Sequence, residues 1–329
     1  MKLFVTGGAG FIGSNFIRML LNDELEQRPD MVTVLDFLTY SGNLQNLESS
    51  LKDPRLNFIQ GDICDISTVE SATSGHDILI NFAAESHVDR SINSSLRFVQ
   101  TNVLGTQVLL EAARKNGVKK FIQVSTDEVY GSIEDGSWDE TYSLNPNSPY
   151  AATKAAADLI VRSYWRTHNL DICITRCSNN YGPFQFPEKV IPLFVTNLID
   201  GKNIPIYGDG KNIREWIHVD DHCRGISRVI SGGKKGNIYN IGNGNEISNN
   251  LLSELILKHF DLDESRIDFV EDRKGHDFRY ALNTSKIESE LAFSSKIDFQ
   301  SGLSSTVDWY RRNESWWRPL LSKSLDEIS

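Results

Sequence analysis

Short apolar runs rich in β-branched and aromatic residues recur through the first half of the chain, each followed by a stretch of helical periodicity. Residues 2–6, 32–35, 56–60, 78–82, 121–124 and 172–175 read as strands. They are continuous rather than alternating, the pattern of strands covered on both faces. Strands alternating with helices predict the α/β class and a doubly wound parallel sheet. Residues 239–242 read as a strand returning to that sheet. The stretch 97–115 is apolar nearly all round, which predicts burial on more than one side. Together with the alanine-rich stretch 151–160 it suggests a helix bundle across a two-fold axis, hence a homodimer.

The texture changes after Arg176. Residues 177–183 are turn-rich, 187–192 open a helix, and 204–210 read as a strand and turn. The remainder alternates short helices with loops, and residues 322–329 are expected to fray. This predicts a dinucleotide-binding Rossmann domain over 1–177 plus about 215–245. A smaller, mixed α/β substrate domain takes about 178–214 and 246–329.

The chain has 329 residues, 40% hydrophobic and 24% charged, long enough for a well-buried core. Its formal net charge of -10 argues against nucleic acid or an anionic membrane as partner, so an anionic substrate needs a locally basic site. Cys64, Cys173, Cys177 and Cys223 lack metal-ligand spacing, which predicts no metal, and Cys173 and Cys177, in or beside a predicted strand, read as buried thiols. No apolar run is long enough to span a bilayer and no signal peptide precedes the first strand, which predicts a cytoplasmic protein.

The first strand runs into Gly7, Gly10 and Gly13 and then a helix, the context of a dinucleotide-binding loop. Glycine lets the backbone approach a pyrophosphate, whose charge sits on the helix N-terminus. Asp36 ends the second strand, where a carboxylate accepts hydrogen bonds from an adenosine ribose and repels a 2′-phosphate, favouring NAD. Asp62 and Ile63 end the third strand and are placed to meet the adenine. Ala83, Ala84 and Ser86 follow the fourth, small enough for a cofactor to lie close. His87, next along, reads equally as a satisfied structural histidine or a substrate contact.

The fifth strand ends in Ser125, Thr126, Asp127 and Glu128, at the sheet edge where ligands of such folds bind. Successive strand residues face opposite sides, so Asp127 and Glu128 share a site only if the chain has already turned there. Adjacent carboxylates in a dry site can retain one proton, supplying an acid and a base at one pH. Ser148 and Pro149 signal the start of a helix on which Tyr150 and Lys154 share a face. An ammonium one turn away favours the phenolate and suits Tyr150 as a base. Arg214, Arg273 and Arg279 have the geometry to hold a diphosphate, although singly each also reads as a surface charge.

The runs TGGAGFIGSN, NFAAESHVDRSI, VSTDEVYG, SPYAATKAAAD, RCSNNYGPFQFPEKVIPL, YGDGKNIREWIHVDDH, YNIGNGNE and GHDFRYALN together resemble the dTDP-glucose 4,6-dehydratases. These are extended short-chain dehydrogenase/reductases, and the resemblance covers nearly the whole chain. The glycine loop and the Tyr150/Lys154 pair are shared with sugar-nucleotide epimerases and decarboxylases, and the Asp127–Glu128 pair is the narrower mark. The resemblance implies bound NAD and a nucleotide-sugar substrate. Tyr150 would deprotonate the sugar 4-hydroxyl, supported by Lys154 and Thr126, as carbon 4 is oxidised. Glu128 would then remove the proton on carbon 5 while Asp127 protonates the departing 6-hydroxyl, and hydride would return to carbon 6. It places Phe11, Ile12, Thr101 and Asn180 against the cofactor. It places His87, Thr126, Asn179, Lys189, Val190, Pro205, Ile206, Tyr207, Arg214, Asn249, Asp272, Arg273, Lys274, Gly275 and His276 against the substrate. Lys274 stands where the family often has proline or an apolar residue.

Overall fold

The computed structural model describes residues 1–326. Seven parallel strands form the central sheet in the order β10-β6-β5-β4-β1-β2-β3. They are β1 (Lys2–Thr6), β2 (Met31–Asp36), β3 (Leu56–Gln60), β4 (Ile78–Asn81), β5 (Lys120–Thr126), β6 (Ile172–Cys177) and β10 (Asn237–Ile241). The strand order reverses between β1 and β4, which opens a ligand crevice at the carboxyl edge.

Alternation along each strand feeds two cores. Leu3 and Val5 of β1, Val32 and Val34 of β2, and Ile122 and Val124 of β5 pack on one face with the helices Phe11–Leu21 and Val219–Gly232. Phe4, Leu35 and Phe121 pack on the other with Thr106–Lys115 and Pro149–His168. Cys173 and Cys177 are buried as expected, as is Cys223, whereas Cys64 is half-buried.

A further core lies beyond the sheet, among the helices Val190–Ile199, Asn249–Lys258, Phe299–Arg312 and Glu314–Asp326. Over it run β7 (Asn179–Tyr181), β9 (Ile213–His218) and β11 (Glu246–Ser248) as one small sheet, and β8 (Ile204–Tyr207) with β12 (Ile267–Val270) as another. Of the stretch expected to fray, 322–326 continue the last helix, and 327–329 lie outside the described residues.

The stretch 97–115 differs from expectation. Its second half is buried, but its first half holds a π-helical turn, Val99–Gly105, that leaves Val99 and Leu104 45 and 50% exposed, beside an exposed Leu96 just before the stretch. The irregular turn brings Asn102 inward, where its side chain accepts from the Glu85 amide at 2.9 Å and donates to the Glu85 carbonyl at 3.0 Å. All-round hydrophobicity in sequence does not separate a face buried in the protomer from one left outside.

Candidate active site

The glycine loop is as tight as its spacing suggests. Gly7 has φ +70, and a Cβ there would lie 2.5 Å from the Ala83 nitrogen; one on Gly13 would lie 2.3 Å from the Gly7 carbonyl. Gly10 caps the following helix without a side-chain bond, leaving backbone N–H groups directed at the crevice. Asp36 braces this loop: Oδ2 accepts from the Ala9 amide at 2.9 Å and Oδ1 from Leu38 at 2.8 Å.

Three adjoining cavities follow the carboxyl edge. The largest, about 660 Å³, is lined by Gly7, Gly10, Asp36, Asp62, Ile63, Ala83, Ala84 and Thr101. The second, about 250 Å³, is lined by Gly7, Gly10, Phe11, Ile12, Gly13, Ala84, Ser86, Thr126, Asp127, Glu128, Tyr150, Lys154, Asn179, Asn180 and Lys189. The third, about 290 Å³, is lined by His87, Glu128, Asn179, Lys189, Val190, Pro205, Ile206, Tyr207, Arg214, Asn249, Arg273 and His276. Glu128, Asn179 and Lys189 belong to both smaller cavities and join them. The set fits a dinucleotide. A carboxylate and small residues lie at one end, and the buried hydroxyls of Ser125 and Ser178, without a hydrogen-bond partner among the described residues, at the other.

The acidic corner forms because β5 stops at Thr126. Asp127–Tyr130 is a 3₁₀ turn capped by Thr126 Oγ1, which accepts from the Glu128 amide at 3.3 Å. The turn puts both carboxylates on one cavity, as the sequence required. Val129 and Tyr130 pack beneath with Trp138, Ala155 and Tyr280. Asp127 is 2% exposed, accepts from the Thr126 hydroxyl at 3.1 Å through Oδ1, and has no partner for Oδ2 among the described residues. Burial, then the Glu128 and Glu215 charges, push its pKa well up, so it holds its proton. Burial raises Glu128 too, but the Arg273, Arg214 and Lys189 charges pull it back. The environments separate a retained proton from an ionisable base.

Tyr150 and Lys154 project from the helix Pro149–His168, whose cap Ser148 accepts from the Ala151 amide at 3.1 Å. Lys154 Nζ donates to the Val124 carbonyl at 2.7 Å. Its charge is not what sets the phenol: burial, then Glu128, Cys177 and Asp127, raise Tyr150 well above its ordinary pKa, opposed by the Thr126 hydroxyl. Lys154 is thus not among the groups that act most on the phenol, and one of its N–H groups is engaged by the Val124 carbonyl.

The structural reading of His87 is seen directly, and its position leaves the substrate-contact reading open. It caps the helix Val88–Asn93, its Nδ1 accepting from the Arg90 amide at 3.4 Å, and it also lines the third cavity. Burial, then the charges of Lys189, Arg90 and Arg273, push it down to about 3, so the ring is neutral. Lys189 donates to the Ser86 carbonyl at 2.8 Å. Arg279, read from sequence as a diphosphate candidate, instead pairs with Glu246 at 2.6 Å and does not line the cavities. Asp272, Lys274 and Gly275 are also outside the cavity walls; Asp272 pairs with His276 Nδ1 at 2.7 Å. Sequence reasoning passed over Glu188 and Tyr280, both cavity-lining. Each sits in or beside a quoted motif, but only packing shows which way it points.

The family model described as GDP-mannose 4,6 dehydratase matches residues 4–306. A dTDP-glucose 4,6-dehydratase from Actinoplanes sp. is 54% identical over 96% of this chain and 100% of its own. One from Streptomyces niveus is 53% identical over 100% and 98%. The crystal structure of DesIV, a dTDP-glucose 4,6-dehydratase from Streptomyces venezuelae with NAD and TYD bound, superposes with TM-score 0.96 at 55% identity, covering 97% of this chain and 100% of that one. Full-length likeness of sequence and fold, with two carboxylates and a tyrosine on one cavity, leads to one conclusion: the chain belongs to the dTDP-glucose 4,6-dehydratases.

Proposed function

We propose that this protein converts dTDP-glucose to dTDP-4-keto-6-deoxyglucose, as an NAD-dependent hydro-lyase. The observation that carries this reading is the shared cavity of Asp127, Glu128 and Tyr150, opening onto a second cavity lined by Lys189, Arg214 and Arg273. Guanidinium and ammonium groups suit a diphosphate. They supply the local positive charge that an anionic substrate needs on a chain of net charge -10.

NAD, when bound along the glycine loop, supplies the acceptor for the carbon-4 hydride and its return to carbon 6. Tyr150 takes the proton from the 4-hydroxyl, steadied by the Thr126 hydroxyl, and Lys154 holds the cofactor's ribose. The 4-ketone acidifies the proton on carbon 5, which Glu128 removes. Asp127, protonated through burial, gives its proton to the leaving 6-hydroxyl, and water departs. Hydride return to carbon 6 requires a proton at carbon 5, which protonated Glu128 gives back, and the proton that Tyr150 took restores Asp127, so each group ends as it began. A 4-epimerase needs no such pair.

The core beyond the sheet, separate from the two that flank it, supports the division into a cofactor-binding and a substrate-binding domain. The exposed Leu96, Val99 and Leu104 with Leu159 on the packed neighbouring helix support a homodimer through a helix bundle. Among the described residues no helix is long and apolar enough to cross a membrane; we place the protein in the cytoplasm. Purified protein incubated with dTDP-glucose and UDP-glucose, each followed by mass spectrometry, tests the reading. Loss of one water from dTDP-glucose is expected, and no water loss from either sugar would reject it.

A further inference from the structure

The third cavity ends on a cluster that the steps above leave unused. Asp277 is 7% exposed. Its Oδ1 accepts from Asn147 Nδ2 at 2.6 Å, and its Oδ2 accepts from the Tyr280 hydroxyl at 2.7 Å. The Asp277 backbone carbonyl accepts from Arg214 Nη2 at 2.8 Å, and that guanidinium lies 4.3 Å from the centre of the Tyr280 ring. Tyr280 faces the same cavity as Glu128 and rests on the small core beneath the catalytic turn. Asn147 immediately precedes Ser148, the cap of the helix that carries Tyr150 and Lys154. The two segments touch through backbone as well. Gly275 has φ +67, and a Cβ there would lie 3.0 Å from the Asn147 carbonyl.

We propose that Asp277 is a positioning residue for the elimination step. By bonding the Tyr280 hydroxyl and Asn147 at once, it fixes the phenol beside Glu128 and ties the substrate loop to the start of the catalytic helix. The inference rests on the dehydratase reading. Its chemistry follows from what proton removal at carbon 5 demands, a base held against one hydrogen within a fraction of an ångström. Among the described residues the Glu128 carboxylate has no hydrogen-bonded neighbour that could do this, whereas the wall around it is locked through Asp277. Asp277 also contributes charge. The groups facing Glu128 are Asp277, which opposes its ionisation, Arg273, Arg214 and Lys189, which favour it, and the neutral Asp127, Tyr150 and Tyr280.

The test compares Asp277→Ala, Asp277→Asn and Tyr280→Phe with wild type on dTDP-glucose. Asp277→Ala frees both Tyr280 and Asn147, and kcat for water loss should fall about 10- to 100-fold, the loss expected for a hydrogen bond to a charged group. KM should stay within about threefold, because Arg214 is held by a backbone carbonyl that the substitution keeps. Asp277→Asn can keep both bonds, its carbonyl oxygen accepting from Tyr280 and its amide donating to Asn147 once that amide turns over. It should retain kcat within about threefold and move the acid limb of the kcat–pH profile to lower pH, since a like charge beside Glu128 is gone. Asp277→Ala combined with Tyr280→Phe should lose no more than the larger single loss, as both act through one bond.

Four results overturn the inference: full kcat in Asp277→Ala, equal losses with raised KM in Asp277→Ala and Asp277→Asn, multiplying losses in the double variant, or an acid limb that Asp277→Asn leaves unmoved. Should Asp277→Ala not fold, Asp277→Asn and Tyr280→Phe decide the matter through the pH limb and the split between kcat and KM. Wild-type protein that forms no 4-keto-6-deoxy product overturns the dehydratase reading and this inference together. Active wild type beside an unaffected Asp277→Ala overturns the inference alone.

Discussion

The two ends of the substrate channel are built in opposite ways. At the sheet edge, the reacting groups come from one turn and one helix: Thr126, Asp127 and Glu128 in succession, with Tyr150 and Lys154 one helical turn apart. Those carboxyls and the phenol are pushed toward their neutral forms by burial. At the far end, the basic wall is assembled from separate segments: Lys189 before a helix, Arg214 in β9, and Arg273 in a loop after β12. The first end holds protons where burial keeps them; the second holds charge where an anion can meet it. Chemistry therefore belongs to the contiguous end and grip to the assembled one, and substitutions should divide along that line.

The largest effects belong to the acidic end. Tyr150→Phe should lower turnover about 10²- to 10⁴-fold and abolish reduction of the bound cofactor by dTDP-glucose. Glu128→Gln and Asp127→Asn should each cost about as much in water loss yet still allow that reduction, read as the near-ultraviolet absorbance of NADH. Loss of the reduction in all three would erase the proposed division between oxidation and elimination.

Arg273→Ala, at the basic end, should raise KM for dTDP-glucose about tenfold or more, with a smaller change in kcat. Its guanidinium Nε is buried without a hydrogen-bond partner among the described residues, and its nearest acid, Asp89, is 3.9 Å away. If kcat fell instead while KM held, the contrast between grip and chemistry would break.

How far each end could be read from sequence follows from the same difference. Asp127 and Glu128 were legible because adjacency and the end of an apolar run locate them without tertiary knowledge. Arg279 was left between a diphosphate contact and a surface charge because Glu246, distant in sequence, claims its guanidinium, and no local pattern announces that pairing. Asp277 and Tyr280 stand in the same run as Arg279, yet only packing shows that Tyr280 lines the cavity with Glu128 and that Asp277 accepts from its hydroxyl. The Tyr150–Lys154 spacing placed both on one cavity, but spacing does not show that the Val124 carbonyl accepts from the ammonium. The sheet was legible throughout, because two-sided burial writes itself into continuous apolar strands. The π-helical turn was not, because its exposed leucines look like core residues.

Smaller effects sharpen the comparison. Asp36→Ala should weaken NAD retention about tenfold, measured by cofactor loss on dialysis, because it removes both a ribose acceptor and the brace on Ala9. Lys274→Pro, exposed and outside the cavity wall, should change kcat/KM by no more than about twofold. A larger change there would bring that residue into the basic end after all.

Labelling tests the central claim most directly. With dTDP-glucose carrying deuterium on carbon 4, the product should be lighter by one water and should carry that deuterium on carbon 6. Deuterium lost to solvent, or a hexose returned at full mass with carbon 4 inverted, would contradict it.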